Sequence, residues 1–276
     1  MRTLAHLSDL HFGRIDPALL QPLRATLESI GPDVLVVSGD LTQRARASQF
    51  RAARAYLDTL PGAQVIVPGN HDVPLYNVFA RFLAPLANFR RIVSDDVEPV
   101  FIDDEVAIVG VNTARSLTFK GGRINEAQVA RVRALVCTLP DHVVKIVVTH
   151  HPFDVPADAE HDQVVGRARM ALTRLADCGA DVLLAGHLHE SHVGHTAERY
   201  SIAGLSALVV QAGTATSERT RESANSFNVL RVSARHVEIV AWLWNGAGFE
   251  PGPPQSFDHD GRGWHDSARR GRTAAA

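Results

Sequence analysis

The stretch Val34-Leu35-Val36-Val37-Ser38-Gly39-Asp40 decides the fold. Four consecutive apolar residues, mostly β-branched, suit a strand buried on both faces, as strands are in parallel α/β sheets. The run leads straight into Gly39-Asp40. A carboxylate therefore stands just past the carboxyl end of the strand, where ligand sites collect in such sheets.

Working outward, the same unit recurs on both sides. Residues 3–7 form a short strand ending on Asp9-Leu10-His11. Asp16-Pro17 reads as N-cap and first-turn proline of a helix to residue 30, with Pro22 marking where the regular turns begin and Gly31-Pro32 ending it. A helix over 47–60 stops at Pro61-Gly62, and a strand over 64–67 delivers Gly69-Asn70-His71-Asp72. A strand over 106–111 ends in Asn112-Thr113, and Asn125 caps a helix to residue 139. Strand 143–148 leads to Thr149-His150-His151-Pro152; helix 164–178 and strand 182–184 lead to Gly186-His187-Leu188-His189. Strands over 207–211, 227–232 and 236–242 follow without a helix between them. Alternating units with a β-rich end predict an α/β fold of two packed mixed β-sheets flanked by helices. Residues 1–248 read as one domain, and 249–276, with Pro251-Gly252-Pro253-Pro254 and Arg269-Arg270-Gly271-Arg272, as an extended or disordered C-terminal tail carrying solvated His259 and His265.

Bulk properties narrow the classes. At 276 residues and 45% hydrophobic content the chain can bury one sizeable core. A formal charge of −2 provides no global basic field, which disfavours a general nucleic-acid or anionic-membrane binder. Cys137 and Cys178 lack CxxC spacing, so neither a disulfide framework nor a zinc knuckle is expected, and a reducing cytoplasm suits them. The opening Met1-Arg2-Thr3-Leu4-Ala5-His6 is too short and polar for a signal peptide, and no apolar run approaches a membrane span. A soluble cytoplasmic protein is the expectation; a dimer is compatible with it.

The histidines carry the chemistry. Of 14, six fall inside the strand-end blocks. Phosphate esters resist attack because a nucleophile must approach an anion, and two divalent ions about 3.5–4 Å apart overcome this by clamping phosphoryl oxygens. Such a site wants hard oxygens, neutral imidazoles and a shared carboxylate. Asp9, His11, Asp40, Asn70, His150, His187 and His189 are donors of that kind. The His-x-His spacing puts 187 and 189 on one face if the segment is extended. His6, His192 and His195 lie outside the pattern and read as support or surface.

Five blocks in this order, DxH, GD, GNHD, a histidine after a strand, and GHxH, resemble the calcineurin-like metallophosphoesterase family over residues 9–189. The resemblance implies a four-layer α/β/β/α sandwich and two divalent metal ions, manganese, iron, zinc or cobalt. It implies that Asp9, His11 and His189 hold one ion, that Asn70, His150 and His187 hold the other, and that Asp40 bridges them. A bridging hydroxide is then the nucleophile. His71 stabilises the transition state or protonates the leaving group, and Asp72 orients His71. His151 faces substrate or supports the metal ligands, and Arg115 and Arg123 are candidates to hold a phosphate or base.

Within the family, His71 separates this chain from branches carrying Arg or Cys at that place. The Leu4–Asp9 opening and His150-His151-Pro152 look most like class III cyclic-nucleotide phosphodiesterases, although Leu41-Thr42-Gln43-Arg44 lacks the acidic residue often found there. The leading expectation is a phosphodiesterase for a 3′,5′-cyclic nucleotide. The alternatives are a glycerophosphodiesterase, a phosphomonoesterase, a single-strand nuclease, or a non-catalytic metal- or nucleotide-binding protein. Expected partners are a small phosphodiester or nucleotide, with nucleic acid disfavoured. Substrate-facing loops are expected at 73–88, 114–123, 153–166 and 213–225.

Overall fold

The computed structural model describes residues 1–117, 121–155, 163–196, 200, 202–218 and 224–268. Strand β2 (Val34–Ser38) is buried throughout, and its side chains divide between two cores. Leu35 and Val37 pack toward helices α1 (Leu20–Ile30) and α2 (Ala47–Leu57), whereas Val34 and Val36 face the opposite side. That two-sided burial is what the uninterrupted apolar run requires.

β2 lies between β1 (Arg2–Leu7) and β3 (Ala63–Val67), parallel to both. β1 pairs antiparallel on its other side with β10 (Ser226–Ser233), and β10 with β11 (His236–Trp244), which makes the sheet mixed. The second sheet runs β4 (Val100–Ile102), β5 (Val106–Gly110), β6 (Val144–Val148), β7 (Val182–Ala185), β9 (Leu208–Gln211) and β8 (His192–His195). Its central pairings are parallel and its two outer ones antiparallel. Val106, Ile108, Val144, Ile146 and Val148 meet Val34, Val36 and Leu230 in a core between the sheets. Val147, Val129 and Leu172 pack in a separate core under α5 (Glu126–Val136) and α6 (Ala168–Ala176). The layers are helices, sheet, sheet, helices, as expected.

Helix boundaries follow local chemistry. Asp16 accepts from the Ala18 amide and opens a 3-10 turn over Pro17–Leu19, ahead of α1. Asn125 and Gln128 exchange side-chain to backbone bonds as a capping box for α5.

Three expectations change. Residues 73–88, expected as a loop, contain α3 (Val78–Leu83), capped by Asn77, and the start of α4 (Ala87–Ile92). From 249 the chain adds strands rather than a tail: β12 (Phe249–Pro251), β13 (Gln255–His259) and β14 (Trp264–Asp266) extend the first sheet. Pro251 is tolerated because β12 pairs with β11 alone, and edge strands accept proline. Trp264 is 2% exposed, and its indole N–H donates to Asp181 (3.0 Å), tying β14 to the turn before β7. His265 and Asp260 approach to 3.1 Å, and the His259 ring meets Trp264. The Arg269-Arg270-Gly271-Arg272 stretch lies outside the described residues, as do parts of three expected substrate loops.

The third change concerns the cysteines. Cys137, at the end of α5, and Cys178, just after α6, form a disulfide with Cα atoms 4.4 Å apart. Packing of the two helix ends makes the pair, and sequence spacing gave no sign of it. The cysteines therefore lend no support to a reducing compartment. No described helix is long and apolar enough to cross a membrane.

Candidate metal centre

The five blocks converge because their backbones are bonded to one another. Asp9 N donates to Gly39 O (3.1 Å) and His11 N to Asp40 O (2.9 Å), so the loops after β1 and β2 run side by side. The His71 amide donates to Asp40 Oδ1 (2.8 Å), which fixes the third block to the second. The His187 amide donates to Asp9 Oδ2 (3.0 Å), and Gly186 N to His150 O (3.1 Å), which brings in the last two. Ser8 Oγ also donates to Asp9 Oδ2, at 2.6 Å.

Each carboxylate is thereby half used by the scaffold. The other halves face inward among the imidazoles. Asp9 Oδ1 lies 3.5 Å from both His11 Nε2 and His189 Nε2. Asp40 Oδ2 lies 3.5 Å from His150 Nε2 and 3.8 Å from His11 Nε2. His150 Nε2 is 3.0 Å from Asn70 Oδ1 and 3.3 Å from His187 Nδ1. His150 Nδ1 lies 2.8 Å from Ser38 O; donating there, it leaves Nε2 as the lone-pair nitrogen toward the cluster.

Asp9–His11–His189 forms one candidate metal group and His150–His151–His187 another, and Asp9–Asp40–His150 joins them. The donors fit divalent ions, and among the buried atoms with no hydrogen-bond partner are Asp9 Oδ1 and His11 Nε2, which face each other at 3.5 Å. A buried polar atom left this way costs about 1–3 kcal/mol, which a cation would offset. The chain carries a dinuclear metal-binding cluster.

Backbone strain gathers at the same residues. Asp9, His11, Asp40, His187 and His189 all have φ between 50° and 75°, and only Ala45 and Arg167 join them among the described non-glycine residues. Left-handed backbone is uncommon for such residues and, when over-determined by its surroundings, clusters at functional sites.

Electrostatics mark the donor set as a place for positive charge: at His150 burial is outweighed by Asp40, Asp9 and the Ser38 carbonyl, which raise the imidazole above its ordinary value and would equally favour a cation there. Burial raises the Asp9 carboxyl, but His189, His11 and His150 more than offset it and hold it well below the usual range. Asp40 is lowered likewise, burial being outweighed by His150, His71 and His11. Burial, then His150, pushes His187 down to about 3, so it is a neutral imidazole, the form that ligates metals.

The structure brings together all seven expected ligands and sets His71 beside them, its ring edge-on to His11 at 4.9 Å. It corrects the setting of His71. Its Nδ1 lies 3.1 Å from the Gln43 carbonyl, the contact that orients the ring. Asp72 instead accepts from the amides of Leu41, Thr42 and Gly69 and from Thr42 Oγ1, pinning the loop after β2. Burial, then Asp40, pushes Asp72 up to about 7. His151 is buried with Nδ1 2.8 Å from Thr113 Oγ1, its ring against those of His150 and His187. The guanidinium of Arg115 is taken up by Asn112 O, Ala114 O and Gln128 Oε1, a structural use that replaces the expected substrate contact. Arg123 is placed through its backbone, donating to Thr113 O and bridging Gly166.

Sequence reasoning missed Gln43, which acts through a carbonyl, and Thr214 and Thr216. Their hydroxyls donate to Asp9 O (2.7 Å) and Leu10 O (2.8 Å) and hold the first block from behind. Hydroxyls in a loop give no signal of such a partner.

Comparison with known proteins agrees with this geometry. Residues 2–191 match the calcineurin-like phosphoesterase family model. A curated relative, the glycerophosphodiester phosphodiesterase GpdQ of Enterobacter lignolyticus (strain SCF1), is 32% identical over 126 residues, covering 38% of this chain and 44% of that protein. The chain thus aligns with less than half of that relative's length. Among solved structures, a dimetal phosphatase from Danio rerio superposes with a TM-score of 0.64 at 15% identity, over 92% of this chain and 98% of that one. A purple acid phosphatase from yellow lupin (Lupinus luteus) seeds gives 0.70 at 10% identity, over 94% and 54%. At those identities the likeness is one of fold. With the family match running over more than half its length, the chain belongs to the calcineurin-like phosphoesterase family of metal-dependent hydrolases.

Proposed function

We propose that this hydrolase cleaves a small phosphodiester of the glycerophosphodiester kind. The observation that carries a two-ion reading is the junction group Asp9–Asp40–His150, which links the two flanking donor sets through buried carboxylates. Asp9, His11 and His189 would hold one ion and Asn70, His150 and His187 the other, with Asp40 shared. Bound ions would supply Lewis acidity toward a phosphoryl oxygen and acidify water.

The chain's own residues do the rest. With Nδ1 donating to Gln43 O, the neutral His71 ring presents Nε2 as its lone-pair nitrogen, the atom that would take up a catalytic proton. Protonated there, it would donate to the departing alkoxide as the phosphorus–oxygen bond breaks. Asn70 and His71 are only partly buried, unlike Asp9, His11 and His150, so substrate would approach from their side. Arg123, which is exposed, would be the substrate-side candidate, whereas His151 is buried. The relative named for glycerophosphodiesters favours that substrate over a 3′,5′-cyclic nucleotide.

The test is a side-by-side assay with manganese of bis(p-nitrophenyl) phosphate, glycerophosphocholine, 3′,5′-cyclic AMP and p-nitrophenyl phosphate. Glycerophosphocholine is expected to turn over faster than cyclic AMP, and the diester faster than the monoester. Faster cyclic AMP hydrolysis would restore the nucleotide reading, and no turnover across several metals would reject the enzyme. His71→Ala is expected to lower turnover by about 10²-fold or more while metal content stays unchanged.

A further inference from the structure

Helix α3 has its polarity reversed. Its one charged residue, Arg81, is buried, with Nε donating to Ser116 O (2.6 Å) and Nη1 to Pro74 O (3.0 Å). Its outward positions carry Val78, Phe79, Phe82 and Leu83, with Phe79 80% and Leu83 81% exposed. Tyr76, two residues before the helix, is 76% exposed. Leu117, next to the residue that anchors Arg81, is 83% exposed. Single exposed apolar residues are ordinary, but a group of this size on one short segment marks a surface that meets something apolar.

The local charge says what that something is. From residue 73 to residue 94 the chain has three arginines and no acidic residue. Arg90 and Arg91 are exposed on α4, although Arg90 leans toward Asp95 (3.5 Å), and Arg44 lies over the Tyr76 ring at 5.4 Å. A two-fold contact through this patch would set the basic segment against its own copy, with no carboxylate inside it to answer the arginines. An anionic lipid surface answers both features. Acyl chains take up the aromatic and aliphatic side chains, and headgroups pair with the exposed Arg90 and Arg91. The chain-wide charge of −2 does not oppose this, because such attraction decays within a Debye length and is set by the nearest groups.

We propose that segment 76–83, with Leu117 beside it, docks the protein reversibly on an anionic lipid surface. Tyr76 would sit at headgroup level, ring inward and hydroxyl outward. The contact is peripheral, since α3 is six residues long and spans nothing.

The test is co-sedimentation of the full chain with phosphatidylcholine vesicles and with mixed phosphatidylcholine–phosphatidylglycerol vesicles. Binding is expected to the mixed vesicles, weaker at high salt. The double variant Phe79→Ser, Leu83→Ser should lower the partition coefficient by about tenfold per side chain. Arg91→Gln should lower it on the mixed vesicles only. These side chains are exposed, so an unchanged melting temperature serves as the check that the variants fold, independently of any activity. Failure of the wild-type chain to sediment with mixed vesicles would overturn the proposal, as would equal partitioning of wild type and double variant. A concentration-dependent dimer that the double variant dissolves, with no vesicle binding, would assign the patch to a second copy instead.

Discussion

Gly69→Ala isolates what the metal centre asks of its scaffold. Gly69 has φ −106°, an ordinary backbone that alanine adopts without strain, so only the added methyl matters. That methyl carbon would lie 2.8 Å from Asp40 Cγ and closer still to Asp40 Oδ1 and N. Non-bonded carbons settle at about 3.5–4.0 Å, so relief needs a shift of about 1 Å at Asp40. Asp40 Oδ1 is the atom that accepts the His71 amide, and Oδ2 faces His150 and His11. A shift of that size therefore moves the shared carboxylate and the His71 turn together. Misplacement by about 1 Å can cost about 10²-fold in rate. Metal analysis after dialysis, with diester turnover at matched metal, is expected to show reduced metal retention and a rate loss of that order. Gly248→Ala is the control, since its methyl would meet nothing within 4 Å. Full metal and full turnover in Gly69→Ala would refute the view that the site depends on the position of Asp40.

Three other outcomes are expected. His6 is fully buried beside Ser38, and burial pushes it down to about 3, so it stays neutral in the fold while the unfolded chain protonates below its ordinary value near 6.5. The unfolded state then binds more protons between those values, so stability falls as pH drops through that window, by at most ~1.4 kcal/mol per pH unit for this one group. In urea unfolding with chelator present, His6→Gln should lose ~2 kcal/mol less than wild type between pH 7 and pH 5, and equal losses would refute the assignment. Trp264→Ala should cost about 3–5 kcal/mol of stability, because the indole is buried between sheets and bonded to Asp181; a change near zero would mean that β14 is not anchored through this side chain. Breaking the Cys137–Cys178 bridge, which closes a separation of 41 residues, should cost up to about 4 kcal/mol. A melting temperature unmoved by reductant, with two titratable thiols before its addition, would refute the pairing.

How far the sequence was legible follows from which atoms act. Asp9, His11, Asp40, Asn70, His150, His187 and His189 could be read because they act through side chains placed just past strand ends, and the strands announce themselves by two-sided burial. Gln43 could not be read, because its carbonyl orients His71 and every residue has a carbonyl. For the same reason Asp72 reads in the sequence as the partner of its neighbour, whereas its oxygens reach amides some thirty positions earlier in the chain, at Leu41 and Thr42. Helix α3 escaped because a periodic apolar stripe normally faces the core, and here Phe79 and Leu83 face out while Arg81 is buried. Strands β12 to β14 escaped because Pro251-Gly252-Pro253-Pro254 resembles a linker, and the strands lie toward the edge of the first sheet, where proline is admitted.

The strain at the donors and the crossing of the loops have one cause. To aim inward from strand ends only a few residues long, Asp9, His11, Asp40, His187 and His189 adopt left-handed backbone that costs about 1–3 kcal/mol each. Glycine would relieve that cost, but glycine has no side chain to ligate. The conformation is held instead by bonds from other loops: Asp9 by Gly39 O, Ser8 and His187 N, Asp40 by His71 N, and the first block by Thr214 and Thr216 from behind. Glycine then appears beside the donors rather than among them, at 39, 69 and 186, where an added methyl would strike His150, Asp40 and Ser8. What these bonds leave unanswered are Asp9 Oδ1 and both ring nitrogens of His11. Cations would answer the two of these atoms that face each other, Asp9 Oδ1 and His11 Nε2, and in such a site metal binding and stability are thermodynamically linked.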